Sequence, residues 1–309
     1  MARRRRWTRA LAVLALGAGL MAVPASAAES EQFPGLPEAA GVQYTGALIN
    51  ALGGSATAKQ FFLIPTAVSA IDVSVSVAPP TPEVVAAFNA MPGPPPCELR
   101  PNGGVLSTVS RVYPLSPPGS PHAYGAFAPV TVRTVAFGSV PSEAVVSIEL
   151  ARDDADLPIP LLARQADANC VGPLGRRYTD ASVGGAVTVS LKEVAVDGVD
   201  LQLDGVCRAE GALKFVGTGF RSGDQTVDRG TVYVAVTGGF LKGTLDLSDF
   251  TGCTTSAGED LSPLVSGLLS GADNPVEARQ GSIGPCFPSG DASGCSAPED
   301  FDLADAPEF

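Results

Sequence analysis

The chain has 309 residues, 45% of them hydrophobic, so it is long enough for one large domain or two small ones around an apolar core. Without residues 1–27, which carry five arginines and no acid, 15 of the 20 basic residues remain against 32 acidic ones. This excess of carboxylates argues against nucleic acid and anionic lipid as partners, because both require basic patches.

Residues 1–27 have the three parts of a secretory signal peptide. The five arginines precede an apolar run over residues 10–23, and Ala25-Ser26-Ala27 supplies an A-x-A cleavage site. The apolar run is shorter than the roughly 20 residues that a membrane span requires. We therefore expect cleavage before Ala28 and a secreted mature protein without a membrane span. An N-terminal anchor that is not cleaved is the alternative.

The mature chain divides into four segments by composition. The last segment holds five acidic residues and no basic one, which is typical of a disordered tail. The segments are a linker at 28–40, an N-terminal mixed β segment at 41–128, an antiparallel β domain at 129–295 and the acidic tail at 296–309.

The N-terminal segment contains one clear strand, one short helix and a proline-rich loop. Apolar and polar residues alternate from Ala70 to Val77, which predicts a strand. Thr81 as N-cap, followed by Pro82, predicts a helix that runs to Phe88. Prolines are dense over residues 111–129, which we expect to form a loop.

The domain that follows has the pattern of antiparallel strands, beginning with strands at 130–137 and 144–150. Asp197-Gly198 predicts a type I′ turn that pairs Val196 with Val199. The apolar phase is odd-numbered up to Leu191 and even-numbered from Val194, so a bulge is expected near Lys192-Glu193.

A second hairpin is predicted at Gly238-Gly239, pairing Val236 with Leu241. Further along, residues 258–270 fit one helical turn after Ser262-Pro263 and then extended chain. Many short strands with Gly-rich turns favour an all-β fold. We predict an antiparallel β-sandwich or barrel with one or two short helices, stabilised by disulfides.

Six cysteines form an even set, which in an exported chain predicts three disulfides. Metal ligation is the alternative, but the chain has no C-x-x-C motif and a single histidine. We expect sequential pairing, most firmly for the last pair because it closes a short loop of Gly, Ser and Pro. The cysteines are Cys97, Cys170, Cys207, Cys253, Cys286 and Cys295.

Several short motifs between residues 185 and 286 resemble those of uncharacterised secreted proteins of actinobacteria. They are G-E-D-L-x-P-L from Gly258, S-G-x-x-N-P-V from Ser270, and the Q-G and Cys286 that follow. A strand ending at Cys207 and a T-G-C at Cys253 precede them, as in that group. The resemblance implies secretion and a β fold and indicates no activity.

Catalytic and metal sites have weak support in the sequence. The single histidine, His122, lies in the proline-rich loop, and a G-x-S-x-G nucleophile motif is absent. Calcium is the one cofactor with candidate ligands, Asp153, Asp154 and Asp156, and a solvated acidic turn is the alternative explanation. We expect no cofactor.

These patterns favour a secreted, non-enzymatic protein of the envelope or extracellular space that is structural or binds a ligand or surface. The alternatives are a hydrolase with scattered carboxylates and a carrier of small apolar ligands. A hydrolase requires a deep pocket with two convergent acids, whereas a carrier requires a large hydrophobic cavity. The identity of its extracellular partner is open.

Overall fold

Alternating apolar residues and frequent turns give the described part of the chain fourteen strands and one α-helix. The computed structural model describes residues 35–37, 43–78, 98–99, 105–136, 140–171, 176–222, 225–226, 233–287 and 292–306. The strands are β1 Tyr44–Ser55, β2 Gln60–Ala78, β3 Glu98–Leu99, β4 Val105–Pro114, β5 Val130–Ala136, β6 Val140–Leu150, β7 Leu161–Val171, β8 Arg176–Val196, β9 Val199–Asp200, β10 Cys207–Ser222, β11 Gln225–Thr226, β12 Tyr233–Val234, β13 Gly238–Leu247 and β14 Gly271–Gln280. Helix α1 spans Ser262–Leu269, and 3₁₀ turns span Ala292–Gly294 and Leu303–Asp305.

Eight of these strands close into an antiparallel barrel in the order β1, β2, β4, β7, β8, β10, β13, β14 and back to β1. Closure pairs the edges that an open sheet of this size would expose. The all-β prediction is confirmed, and of its two forms the barrel is the one observed. Strands from both sides of residue 128, where the composition predicts a domain boundary, belong to this one barrel.

The barrel core follows from the period-2 pattern of its longest strand, β8. Val183, Val187 and Val189 are buried, whereas Ser182 and Ala186, each next to one of them, are exposed. Facing strands show the same alternation, so apolar side chains line the inside of the barrel. The odd-numbered apolar phase expected before Leu191 is confirmed.

The hairpin between β8 and β9 forms as its turn residues predict. Asp197 and Gly198 have φ of 50° and 75°, as a type I′ turn requires, and Val196 pairs with Val199. The predicted bulge is also present, because the β6–β8 register shifts opposite Glu193, whose φ is 50°.

The hairpin predicted at Gly238-Gly239 is wrong in position. The turn lies at residues 235–237, and Tyr233 pairs with Gly239. Gly238 has a φ of 75°, and a Cβ there would collide with the backbone of Gln280 and Gly281. The glycine therefore serves a close approach to the end of β14 instead of a turn.

The barrel wall divides on one side. Residues 69–78 of β2 pair with β4, but the chain leaves the wall after Pro114 and returns as β5, which pairs with β6. β6 in turn pairs with the second half of β8, Val187 to Val196. In the ladders of the described residues, the first part of β2, residues 60–67, pairs only with β1.

Helix α1 lies across one end of the barrel. Val265 is buried, and two serine hydroxyls hold the helix to the segment before it: Ser266 Oγ accepts from the Phe250 amide at 2.8 Å and Ser262 Oγ from the Cys253 amide at 3.2 Å. The predicted helical turn after Ser262-Pro263 is present and extends to eight residues.

Two of the expected disulfides are present, Cys207–Cys253 and Cys286–Cys295. The third expected pair, Cys97 with Cys170, includes Cys97, which lies outside the described residues. The helix predicted from Thr81 and the signal peptide expected at 1–27 lie outside them as well.

The acidic tail, for which disorder was expected, lies against the barrel over residues 296–306. Arg279 donates to the carbonyl oxygens of Glu299 and Asp300, and its guanidinium stacks 4.2 Å from the Phe301 ring centroid. These contacts come from a strand far from the tail in sequence, so tail composition alone did not reveal them.

Candidate functional site

The barrel encloses an apolar cavity of about 180 Å³. Aliphatic and aromatic side chains from opposite sides of the wall form most of its surface. They include Ile49, Phe62, Val132, Val189, Leu213, Leu245 and Ala278.

A glycine on β1 helps to keep this space open. Gly53 pairs with Phe62 across the β1–β2 hairpin, and a Cβ at Gly53 would lie 2.6 Å from the Phe62 ring. The end of the ring therefore occupies the space that a side chain at position 53 would take. Phe62 forms part of the cavity wall instead of filling the lumen.

One end of the cavity is closed by the chain segment that carries β12. Tyr233, Val234 and Ala235 are all buried. Two glutamine side chains take the place of a neighbouring strand for Ala235: its N–H donates to Gln165 Oε1 at 2.7 Å, and its carbonyl accepts from Gln280 Nε2 at 2.9 Å.

The Tyr233 hydroxyl completes this network by donating to Gln280 Oε1 at 2.8 Å. Burial raises the pKa of Tyr233 above its ordinary value of 10.0, so the phenol is neutral at physiological pH. The floor of the cavity is therefore polar beneath Tyr233 but uncharged and hydrogen-bonded.

The opposite end is closed by α1 and the segment before it. Leu269 of the helix and Phe250 line the cavity, together with Leu247 at the end of β13. The Ser55 hydroxyl donates to the Leu268 carbonyl at 3.2 Å, which ties the helix to the β1–β2 hairpin. The helix thus acts as a fixed cover.

The cavity surface is poor in reactive groups. Among the described residues that line it, none is Asp, Glu, His or Cys. The one charged residue, Arg279, directs its guanidinium to Phe301 and the tail carbonyls. This surface suits dispersion contacts with an apolar molecule and supplies no pair of carboxylates for hydrolysis.

The three candidate calcium ligands serve other contacts or face solvent. Asp153 Oδ1 accepts from the amides of Ala155 and Leu157, both at 2.9 Å, so it stabilises its own turn. Asp154 is exposed, and Asp156 lies 3.8 Å from Arg152. Within the described residues, no group of three or more His, Cys, Asp or Glu side chains is placed to hold a metal ion.

His122 lies at the surface beside the same turn. Its Nε2 is 3.7 Å from Asp156 Oδ2, too far for a hydrogen bond, and Asp156 is 66% exposed. The histidine is therefore near a carboxylate that the sequence did not reveal, but the pair is solvated and outside the cavity lining.

Gln165, Tyr233 and Gln280 were not singled out by sequence. Gln165 and Ala235 are 70 residues apart, and Gln280 and Tyr233 are 47 apart. The one local signal is a glutamine at an inward-facing position of a strand, which is uncommon for a barrel interior.

No helix in the described residues is both long enough and apolar enough to cross a membrane. Comparison with known proteins found no match to this chain among family models, curated proteins or solved structures.

Proposed function

We propose that this protein is a secreted, non-enzymatic binder of a small apolar ligand, which it holds inside the barrel. The observation that carries the proposal is the apolar cavity of about 180 Å³. An apolar cavity of about 150 Å³ is known to stay dry and to bind benzene, so this one is large enough for a molecule of one or two rings or a short alkyl chain.

The cost of an empty cavity supports a functional role. Void space in a core destabilises a protein by roughly 24 cal/mol per Å³, so a cavity of about 180 Å³ costs on the order of 4 kcal/mol when empty. That figure is a large part of the roughly 5–15 kcal/mol that keeps a domain folded. A ligand that fills the space restores these contacts.

Secretion is part of the proposal and is supported by the leader-like residues 1–27 and by the disulfides. Cys207–Cys253 and Cys286–Cys295 are both formed. Such bonds persist in oxidising compartments outside the cytoplasm. The absence of carboxylates from the described cavity lining favours binding over hydrolysis.

Titration with 1-aminonaphthalene, whose emission rises and shifts to the blue in apolar surroundings, tests the proposal. We expect saturable binding to one site per chain. Ala278→Phe places a ring in the cavity and should weaken binding by at least about tenfold. Ala212→Phe, at an exposed position of β10, is the matched control and should bind like the wild type.

Ala51→Leu, a smaller filling of the same cavity, guards against misfolding of Ala278→Phe. Circular dichroism and urea unfolding confirm the fold of each variant. Equal affinity for all four proteins, or no saturable binding by the wild type, would refute the proposal.

A further inference from the structure

We propose that the ligand reaches the cavity through the side of the barrel, between β2 and β5, and that Gln60, Phe62 and Thr134 at this side opening determine which molecules enter. The proposal rests on the proposed ligand-binding function. The side opening is bounded by residues 60–67 of β2 and by Val130–Ala136 of β5.

In the part of the chain that the structure describes, the wall at this place lacks the ladder that closes the rest of the barrel. Among the described pairings, residues 60–67 bond to β1 alone and β5 bonds to β6 alone. The two strands nevertheless contact each other, and both contribute residues to the cavity lining, including Phe62, Val132 and Thr134. The side opening therefore leads directly to the cavity.

Features of both edges prevent them from joining. Pro65 has no N–H to donate, and it lies where the β1–β2 register shifts between Ile49 and Ala51. On β5, exposed Arg133 pairs with Glu143 of β6 at 2.6 Å instead of reaching toward β2. Proline and charge are the means by which proteins keep edge strands from pairing.

Within the described residues, both ends of the cavity are obstructed. Helix α1 is fixed across one end by the hydrogen bonds of Ser262 and Ser266. The opposite end is closed by the buried Tyr233 segment and its two glutamine partners. At the side opening, by contrast, Gln60, Phe62 and Thr134 are only half-buried.

Gln60, Phe62 and Thr134 form the rim of the side opening, and the chemistry of this rim indicates the class of ligand. Gln60 and Thr134 are polar but uncharged, while the wall behind them is apolar. The rim therefore suits an uncharged molecule whose apolar part enters the cavity first. A polar group on such a molecule would stay at the rim and form hydrogen bonds to these side chains.

Stopped-flow fluorescence with 1-aminonaphthalene tests the route, because an obstacle on the path slows association. Thr134→Phe and Gln60→Phe narrow the side opening from its two edges. Each should slow association by about tenfold, whatever change in Kd follows from the loss of the polar side chain. Gly267→Phe, on the outer side of α1 where a Cβ meets open space, is the matched control and should keep both rates.

The proposed route would be overturned by unchanged association rates in both Thr134→Phe and Gln60→Phe. Slower association in Gly267→Phe, or a change in Kd without slower association in the other two variants, would overturn it as well. In those cases saturable binding by the wild type would leave the proposed function standing. Absence of saturable binding by the wild type would instead overturn the proposed function and this proposal together.

Discussion

Replacement of Gln280 by leucine is expected to destabilise the fold more than any other single change in the buried network. The leucine is of similar volume, but it removes the acceptor of the Tyr233 hydroxyl at 2.8 Å and the donor to the Ala235 carbonyl at 2.9 Å. Each buried group left unpaired costs about 1–3 kcal/mol, so we expect a loss of roughly 2–6 kcal/mol for the two groups. Gln165→Leu orphans the Ala235 N–H, a loss that by itself costs about 1–3 kcal/mol.

Urea unfolding with the disulfides intact measures these losses as a lower midpoint at unchanged slope. Gln43→Leu, an exposed glutamine replaced in the same way, is the control and should stay within about 0.5 kcal/mol of the wild type. Tyr233→Phe should cost about 1–3 kcal/mol alone and much less when Gln280 is already leucine, since the two groups are partners. The proposed network would be refuted if Gln280→Leu lost no more stability than Gln43→Leu. It would also be refuted if the stability losses of Tyr233→Phe and Gln280→Leu were additive.

Two further predictions concern alkaline pH and the disulfides. Burial raises the pKa of Tyr233 above 10.0, so the unfolded chain releases this proton at lower pH than the folded protein does, and stability should fall as pH rises beyond about 10. Comparison of urea midpoints at several alkaline pH values should show a shallower fall in Tyr233→Phe; an equal fall would contradict the assignment. The bond Cys207–Cys253 spans 46 residues and Cys286–Cys295 spans 9, so replacing each pair by alanine should cost roughly 4 and roughly 3 kcal/mol. If thermal unfolding showed a larger loss of stability without Cys286–Cys295 than without Cys207–Cys253, loop entropy would not determine the stability that these bonds contribute.

Local chemistry determined which parts of the fold were predictable. The Asp197-Gly198 turn and the bulge at Glu193 depend on neighbouring residues, so both were foreseen from sequence. Gly238 misled the prediction because its positive φ serves contact with the end of β14, a strand about 40 residues later, and not a turn. A glycine pattern does not say which of these uses applies.

The candidate site was less predictable because it depends on closure of the barrel. Gly53 makes room for Phe62 only within the β1–β2 hairpin, and Gln165 meets Ala235 only when the segment that carries β12 closes the end of the barrel. The alternation of apolar residues predicts which side chains point inward. It does not predict whether they fill the interior, which depends on the distance between opposite walls.

The measurement that addresses the ligand cavity most directly is crystallography under xenon pressure. Xenon enters dry apolar cavities and is located by its anomalous scattering. We expect a xenon peak inside the barrel, among Phe62, Val132 and Val189, that is absent from Ala278→Phe. Ordered water at that place, or a lumen filled by side chains with no xenon peak, would contradict the proposed binding of an apolar ligand.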